Sequence, residues 1–84
     1  MEQDIYLVVL INNEILITEV KQILSELGEP DCRFINPYVL KNDEIVPWLE
    51  NYTNDNQIMI SSDKILTLVE PKGYLFDQYL EKTK

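Results

Sequence analysis

Few side chains of this sequence could perform covalent or metal chemistry. There is no histidine, so the commonest general base and the usual partner of a catalytic serine or cysteine are missing. The single cysteine, Cys32, lies between Asp31 and Arg33. A reactive thiol is one interpretation of this position, but a small, partly buried side chain is the favoured one. One cysteine excludes an internal disulfide, and no metal site is expected without histidine.

The acidic residues and the glycines form no catalytic or nucleotide-binding motif. Neighbouring carboxylates such as Asp43 and Glu44 occur among 15 acidic residues, in a pattern that is typical of a solvated surface. The two glycines, Gly28 and Gly73, lie far apart and belong to no phosphate-binding loop. We therefore predict that the protein is not an enzyme and that it has no cofactor.

Length and charge restrict the function further. A chain of 84 residues forms one domain and buries little surface, so self-association is the expected source of additional stability. The formal net charge of −8 repels phosphate at long range, which weighs against nucleic-acid binding driven by bulk electrostatics. The acidic N-terminus, Met1–Asp4, and the short apolar run Ile5–Ile11 predict a soluble, cytoplasmic protein.

The first part of the chain has mainly β-type composition. Most of the residues Ile5–Ile11 are β-branched or aromatic, which predicts a strand. Asn12 and Asn13, which follow, suit a tight hairpin turn. The following segment, Glu14–Leu24, is favoured as a long, bent strand because the turn places it for pairing. A helix is the alternative, since its apolar residues also recur at helical spacing and Gly28 follows like a helix C-cap.

The rest of the chain continues with short strands and ends in a helix. Pro37 has no amide hydrogen, so the strand that contains it is expected at an edge or at a bulge. An apolar stripe predicts a C-terminal helix over residues 71–82; it consists of Leu75, Phe76, Tyr79 and Leu80. The further predicted strands are Arg33–Leu40, Gln57–Ser61 and Lys64–Val69. Ile45–Leu49 is a short apolar stretch that Pro47 keeps from being a central strand. This order predicts a single mainly β domain over residues 1–84, a small barrel or sandwich.

Two stretches resemble the sequence motifs of the Sm-like (LSm) family of small barrels. The segment Gln57–Leu68 runs from an apolar strand through a short turn into a second alternating strand, as in the second motif of that family. Phe34 and Asn36 flank an apolar residue, as at the end of the first motif. Short, acidic members of marine cyanophage type are the most similar. The resemblance implies a five-stranded antiparallel SH3-type barrel over residues 5–69, followed by the helix over residues 71–82.

The resemblance also implies a site for RNA or single-stranded DNA. In the family, an aromatic ring stacks on a base and an asparagine hydrogen-bonds the edge of that base, roles that would fall to Phe34 and Asn36. Ser61 and Ser62 stand where the family has Arg-Gly, and Lys64 could supply the missing positive charge. The alternative is that Phe34 belongs to the core, that Asn36 caps a turn and that Lys64 pairs with a carboxylate.

Self-association through strand edges is a further implication of the resemblance. Members of the family join edge to edge into rings, which implies a homo-oligomeric ring here, with five subunits as suits the short phage-type members. Candidate interface residues are Met59, Leu66 and Leu68 in the shared sheet, with Trp48 and Tyr52 at its side. The alternative is that these side chains form the core of a single subunit.

Two functions are therefore compatible with the sequence. The first is a non-catalytic ring that binds RNA or single-stranded nucleic acid in phage or host RNA processing. The second is an acidic ring for protein interaction or assembly, which docks a basic partner and does not bind nucleic acid. The resemblance favours the first function, whereas the net charge of −8 favours the second.

Overall fold

A computed structural model of the protein describes residues 4–83. Six strands and a short C-terminal helix make up the fold, which confirms the prediction of a mainly β protein that ends in a helix. The strands are β1 (Ile5–Leu10), β2 (Ile15–Gln22), β3 (Cys32–Lys41), β4 (Glu44–Pro47), β5 (Gln57–Ile60) and β6 (Ile65–Val69). A 3₁₀ turn, Ser62–Lys64, connects β5 to β6, and the helix α1 spans Gly73–Lys82.

All six strands belong to one antiparallel sheet with the order β4-β3-β2-β1-β6, in which β5 pairs with β3 next to β4. Within residues 4–83, β5 and β6 do not pair with each other, so the sheet stays open between them. The expected closed barrel of five strands is therefore wrong. A tight turn would hold β5 and β6 side by side, whereas the 3₁₀ turn directs β6 to β1, at the opposite end of the sheet.

Residues with positive φ form the hairpin turns. Asn13 has a φ of 71° in the turn between β1 and β2, where the sequence predicted a tight turn. Asn42 and Asp43, between β3 and β4, have φ angles of 50° and 66°, as a type I′ turn requires. Because the first turn returns the chain alongside β1, the strand interpretation of Glu14–Leu24 is confirmed and the helical interpretation is wrong.

Strand β3 pairs on both sides and bends in its middle. Asn36 has a φ of 53°, and the register between β2 and β3 shifts between Ile17 and Glu19, opposite this bend. Pro37 follows directly, so it lies at an irregular point of an internal strand rather than at a sheet edge. The bend allows the first part of β3 to pair with β5 and the second part to pair with β4.

Hydrophobic side chains cover both faces of the sheet. One face forms the inner core, with the buried residues Val8, Leu10, Leu16, Phe34 and Val39. The other face forms the outer core, in which α1 covers Ile5, Ile17 and Ile45. Successive strand residues point to opposite faces, which is why neighbours such as Leu16 and Ile17 belong to different cores.

The predicted helical stripe attaches α1 to the sheet. Leu75 and Tyr79 are buried in the outer core, and Phe76 and Leu80 pack against it. The ring of Tyr79 meets that of Tyr38 edge-on, with the ring centroids 5.8 Å apart. The hydroxyl of Tyr38 also donates a hydrogen bond to the carbonyl oxygen of Lys82, in the last turn of α1. The helix therefore has one firmly docked face.

Candidate self-association surface

The residues expected to bind nucleic acid are not brought together. The side chain of Phe34 is 0% exposed in the inner core, so its ring offers no free face for stacking on a base. Its alternative role, as a core residue, is the one that the structure shows. Asn36 and Ser62 line two different hollows of the surface. These two residues therefore do not line one common hollow that could hold a base.

Asn36 organises the bend of β3. Its backbone N–H donates to the carbonyl oxygen of Asn56 at 2.7 Å, which ties the segment before β5 to the bend. The half-buried side chain lines a cleft of about 380 Å³, shared with Trp48 and two acidic residues, Glu50 and Asp55. The cleft thus has negative charge at its wall, which disfavours a phosphate group there.

Ser62 and Asp31 form a two-point contact. The hydroxyl and the backbone N–H of Ser62 donate to the two carboxylate oxygens of Asp31, each at 2.7 Å. These hydrogen bonds lower the pKa of Asp31, because they stabilise its charged form, with the hydroxyl contributing most. Ser61 precedes the turn with a half-buried side chain. The serine hydroxyl at position 62 is therefore occupied by a structural contact between the β2–β3 connection and the 3₁₀ turn.

Lys64 is exposed at the end of the same turn. Among residues 4–83, the ion pairs involve only Lys21, which contacts Asp4 at 3.6 Å and Glu19 at 3.4 Å. The expected pairing of Lys64 with a carboxylate does not occur within this part of the chain. Its ammonium group is available to a partner molecule.

The predicted interface residues Met59, Leu66 and Leu68 lie on two open strand edges. Strand β5 pairs only with β3, and β6 pairs only with β1 among residues 4–83, so each leaves one edge without a neighbour. All three side chains are exposed, and that of Leu66 has 60% of its surface accessible. The alternative that they form the core of the single subunit is therefore wrong.

Trp48 and Tyr52 lie apart from these edges. Trp48 is half-buried and packs against the inner core from the end of β4, while Tyr52 is largely exposed in the segment between β4 and β5. Both line a small hollow of about 200 Å³ next to the cleft of Asn36. The structure thus separates them from Met59 and Leu66, with which the sequence had grouped them.

A larger hollow runs along β6, and it was not predicted from the sequence. This apolar groove, of about 600 Å³, is lined mainly by Tyr6, Val20, Cys32, Ile65, Leu66 and Leu68. Burial, and next the neighbouring Asp31 carboxylate, raise the pKa of the Cys32 thiol. The thiol therefore stays protonated at neutral pH, as the favoured interpretation of a passive side chain predicted. Among residues 4–83, no group of three potential metal ligands lies together.

Two leucines between β2 and β3 are a second feature missed at the level of the sequence. Leu24 and Leu27 have relative exposures of 105%, so they are as accessible as in an unfolded chain. They had supported the helical interpretation of this region. In the structure, strand β2 ends at Gln22, so both leucines lie in a connection that has no buried face. Two leucines in a connection between strands are the sequence feature that would have indicated an exposed apolar segment.

Comparison with known proteins identifies the family of the chain. The pattern of a family of unknown function, DUF6561, matches residues 3–84. The curated proteins contain no match. Among residues 4–83, no helix is both long and apolar enough to cross a membrane. Since the match covers nearly the whole chain, the protein belongs to the DUF6561 family.

Proposed function

We propose that the protein is a non-catalytic interaction module whose copies assemble by pairing β5 of one copy with β6 of the next. The single observation that carries this proposal is the pair of open strand edges with exposed apolar side chains. An unpaired edge presents free N–H and C=O groups to another strand, and natural proteins normally protect such edges. One neighbouring copy would satisfy the β5 edge, and a second neighbour would satisfy the β6 edge.

The third open edge of the sheet shows the protection that β5 and β6 lack. Strand β4 carries the exposed residues Glu44 and Pro47, a charge and a residue without an amide hydrogen. By contrast, β5 (Gln57–Ile60) and β6 (Ile65–Val69) contain neither a charged residue nor a proline. This difference favours β5 and β6 as the edges that take part in assembly.

Assembly through two different edges has a geometric consequence. A contact between β5 and β6 is heterologous, so an open chain of copies keeps one free β5 at one end and one free β6 at the other until a ring closes. A closed ring leaves no open edge on either strand. We therefore propose a ring, in line with the five-membered ring implied by the resemblance to Sm-like proteins.

Of the two functions compatible with the sequence, the interaction ring is the better supported. Nucleic-acid binding relied on Phe34 and on the serine pair, but the ring of Phe34 is buried and the hydroxyl of Ser62 is bonded to Asp31. The net charge of −8 suits a basic protein partner rather than a phosphate chain. Such a partner would dock on the assembled ring.

Sedimentation measurements on two edge variants test the proposal. The wild-type protein should form a discrete species several times heavier than the 9.9 kDa monomer. Met59→Glu places a charge on β5, where Arg33 lies opposite in the same sheet and can accept it, and Val69→Glu places one on β6. Each variant alone should be monomeric, because each lacks one usable edge.

Mixing the two variants provides the decisive measurement. Met59→Glu keeps an intact β6 and Val69→Glu keeps an intact β5, so an equimolar mixture should form a dimer that cannot grow further. Tyr74→Glu, on the exposed side of α1 at 63% exposure, is the matched control and should assemble like the wild type. A wild-type protein that stays monomeric, or variants that assemble normally, would refute the proposal.

A further inference from the structure

The connection between β2 and β3 projects from the sheet with an apolar tip. We call this segment, residues 23–30, the leucine arm, because it carries the fully exposed Leu24 and Leu27. Isolated exposed leucines are common on protein surfaces, but two fully exposed leucines on one short segment form a concentrated apolar feature. Such a feature is typical of a segment that another molecule covers.

The arm has a defined conformation. At its tip, the N–H of Glu29 donates to the carbonyl oxygen of Glu26 at 3.0 Å, and Gly28 has a φ of 88°, the geometry of a type II turn. At its base, the N–H of Ile23 donates to the carbonyl oxygen of Asp31 at 3.0 Å. The contact between Asp31 and Ser62 then secures this base to the 3₁₀ turn. An arm fixed at both ends loses little freedom when it is bound.

The proposed assembly brings the arm of one copy towards the apolar groove of the next. Ile60, at the end of β5, lies opposite Cys32, at the base of the arm. If β6 of a second copy pairs antiparallel with β5, the start of β6 lies at the end of β5. The first residues of that β6, Ile65 and Leu66, line the groove. In this arrangement, the groove of the second copy begins where the paired strands end, next to the arm of the first copy.

Charge supports the same arrangement. The arm carries Glu26 and Glu29, and neither forms an ion pair within residues 4–83. Lys64, which immediately precedes the groove residue Ile65, is likewise unpaired in this part of the chain. The groove lining also contains one carboxylate, that of Asp4, which pairs with Lys21 at 3.6 Å. In the proposed contact, the arm's carboxylates would lie towards Lys64 of the next copy. This contact complements the apolar one.

We propose that the leucine arm of each copy inserts Leu24 and Leu27 into the apolar groove of the neighbouring copy. This inference rests on the proposed assembly through β5 and β6 and names a second contact within the same interface. The occupant of the groove is therefore a second copy of this chain. The groove residues Tyr6, Val20 and Leu68 provide the apolar surface for the two leucines.

Crosslinking between chains that each contain one cysteine tests the inference. The arm chain carries Leu27→Cys and Cys32→Ala, and the groove chain carries Leu66→Cys and Cys32→Ala, with a size tag on one of them. A control chain carries Tyr74→Cys and Cys32→Ala, on the exposed side of α1. Under mild oxidation, the arm and groove chains should form a covalent heterodimer, and the arm and control chains should not.

A second measurement uses the affinity of assembly. Leu24→Ser with Leu27→Ser alters only exposed side chains, so the fold is retained, and loss of their burial should weaken self-association about tenfold or more. Tyr74→Ser, which removes another exposed apolar side chain, should leave the affinity unchanged.

The outcomes separate this inference from the proposed function. A monomeric wild-type protein refutes both. If the wild type assembles but the arm and groove chains do not crosslink, and the double serine variant assembles normally, the arm has no role and the edge pairing stands. If Leu27→Cys and Leu66→Cys in one chain crosslink within that chain while the mixed chains do not, the arm folds onto its own groove and the inference is refuted.

Discussion

At the scale of single residues, Tyr79 connects α1 to the irregular part of the sheet. Its hydroxyl donates to the carbonyl oxygen of Ile35 at 2.9 Å and accepts a hydrogen bond from the N–H of Glu19 at 3.2 Å. Both backbone groups lie at the register shift between β2 and β3, where the regular ladder is interrupted. The tyrosine thus serves as a hydrogen-bonding partner at the point where the sheet needs one.

The ionisation of Tyr79 makes the stability of the fold sensitive to alkali. Burial raises the pKa of Tyr79 from 10.0 to about 12. The neutral hydroxyl therefore contributes fully below pH 10, and this contribution is lost as the pH rises from 10 to about 12. The loss should reach about 3 kcal/mol, since one pKa unit corresponds to about 1.4 kcal/mol.

Urea unfolding of Tyr79→Phe measures this effect. At about pH 7 the variant should be less stable than the wild type by about 1–3 kcal/mol, because the N–H of Glu19 loses the Tyr79 hydroxyl and the carbonyl oxygen of Ile35 keeps only the hydroxyl of Thr18. The difference should shrink above pH 10, since only the wild type has the Tyr79 hydroxyl to ionise. Tyr74→Phe, in the exposed part of α1, is the control and should match the wild type throughout. A difference that does not change with pH would contradict this assignment.

At the scale of elements, β3 is the strand on which the architecture depends. It pairs with β2 along one side and with β5 and then β4 along the other. This arrangement requires the bend at Asn36, whose φ of 53° lies in the left-handed region. Asparagine and glycine adopt this conformation more readily than other residues.

Substitutions of Asn36 should reveal that requirement. Asn36→Ala should destabilise the protein by about 1 kcal/mol, because alanine is strained at this φ, whereas Asn36→Gly should change its stability by less than about 0.5 kcal/mol. Chemical denaturation provides the measurement. At the exposed Asn54, which has no positive φ, the order should be reversed and glycine should be the less stable. The same order at both positions would contradict the role of backbone strain.

At the scale of the whole molecule, the net charge of −8 bears on the choice of partner. The sequence has only seven basic residues, the Phe34 ring expected to stack on a base is buried, and the hydroxyl of Ser62 is bonded to Asp31. We therefore propose a basic protein surface, rather than a phosphate chain, as the ligand of the proposed ring.

Fluorescence anisotropy with short single-stranded RNA and DNA checks this choice. We expect no binding, even at low salt, where phosphate contacts are strongest. Binding that weakens as salt rises, and that is reduced by Lys64→Ala but not by Lys72→Ala, would contradict the choice and restore nucleic-acid recognition. Phe34→Ala is unsuitable as a probe, because removal of this fully buried ring should destabilise the fold by about 3–5 kcal/mol.

The positions of the elements could largely be predicted from the sequence. The asparagines at 12, 13 and 42 marked turns, and the stripe of Leu75 and Tyr79 marked the docked face of α1. These features depend on the conformational preferences of neighbouring residues, which short segments of sequence carry by themselves. The choice between strand and helix for Glu14–Leu24 was closer, because its apolar residues fit both periods.

The sequence alone was enough to predict a mainly β chain that ends in a helix, and it shows an excess of acidic residues and no histidine. Only the tertiary structure decided that the sheet stays open, that Phe34 is buried, and that the groove and the leucine arm exist. The pairing of β6 with β1 and the contact of Ser62 with Asp31 join residues far apart in the chain. Local preferences carry no information about such contacts, because they depend on the path of the whole chain in space.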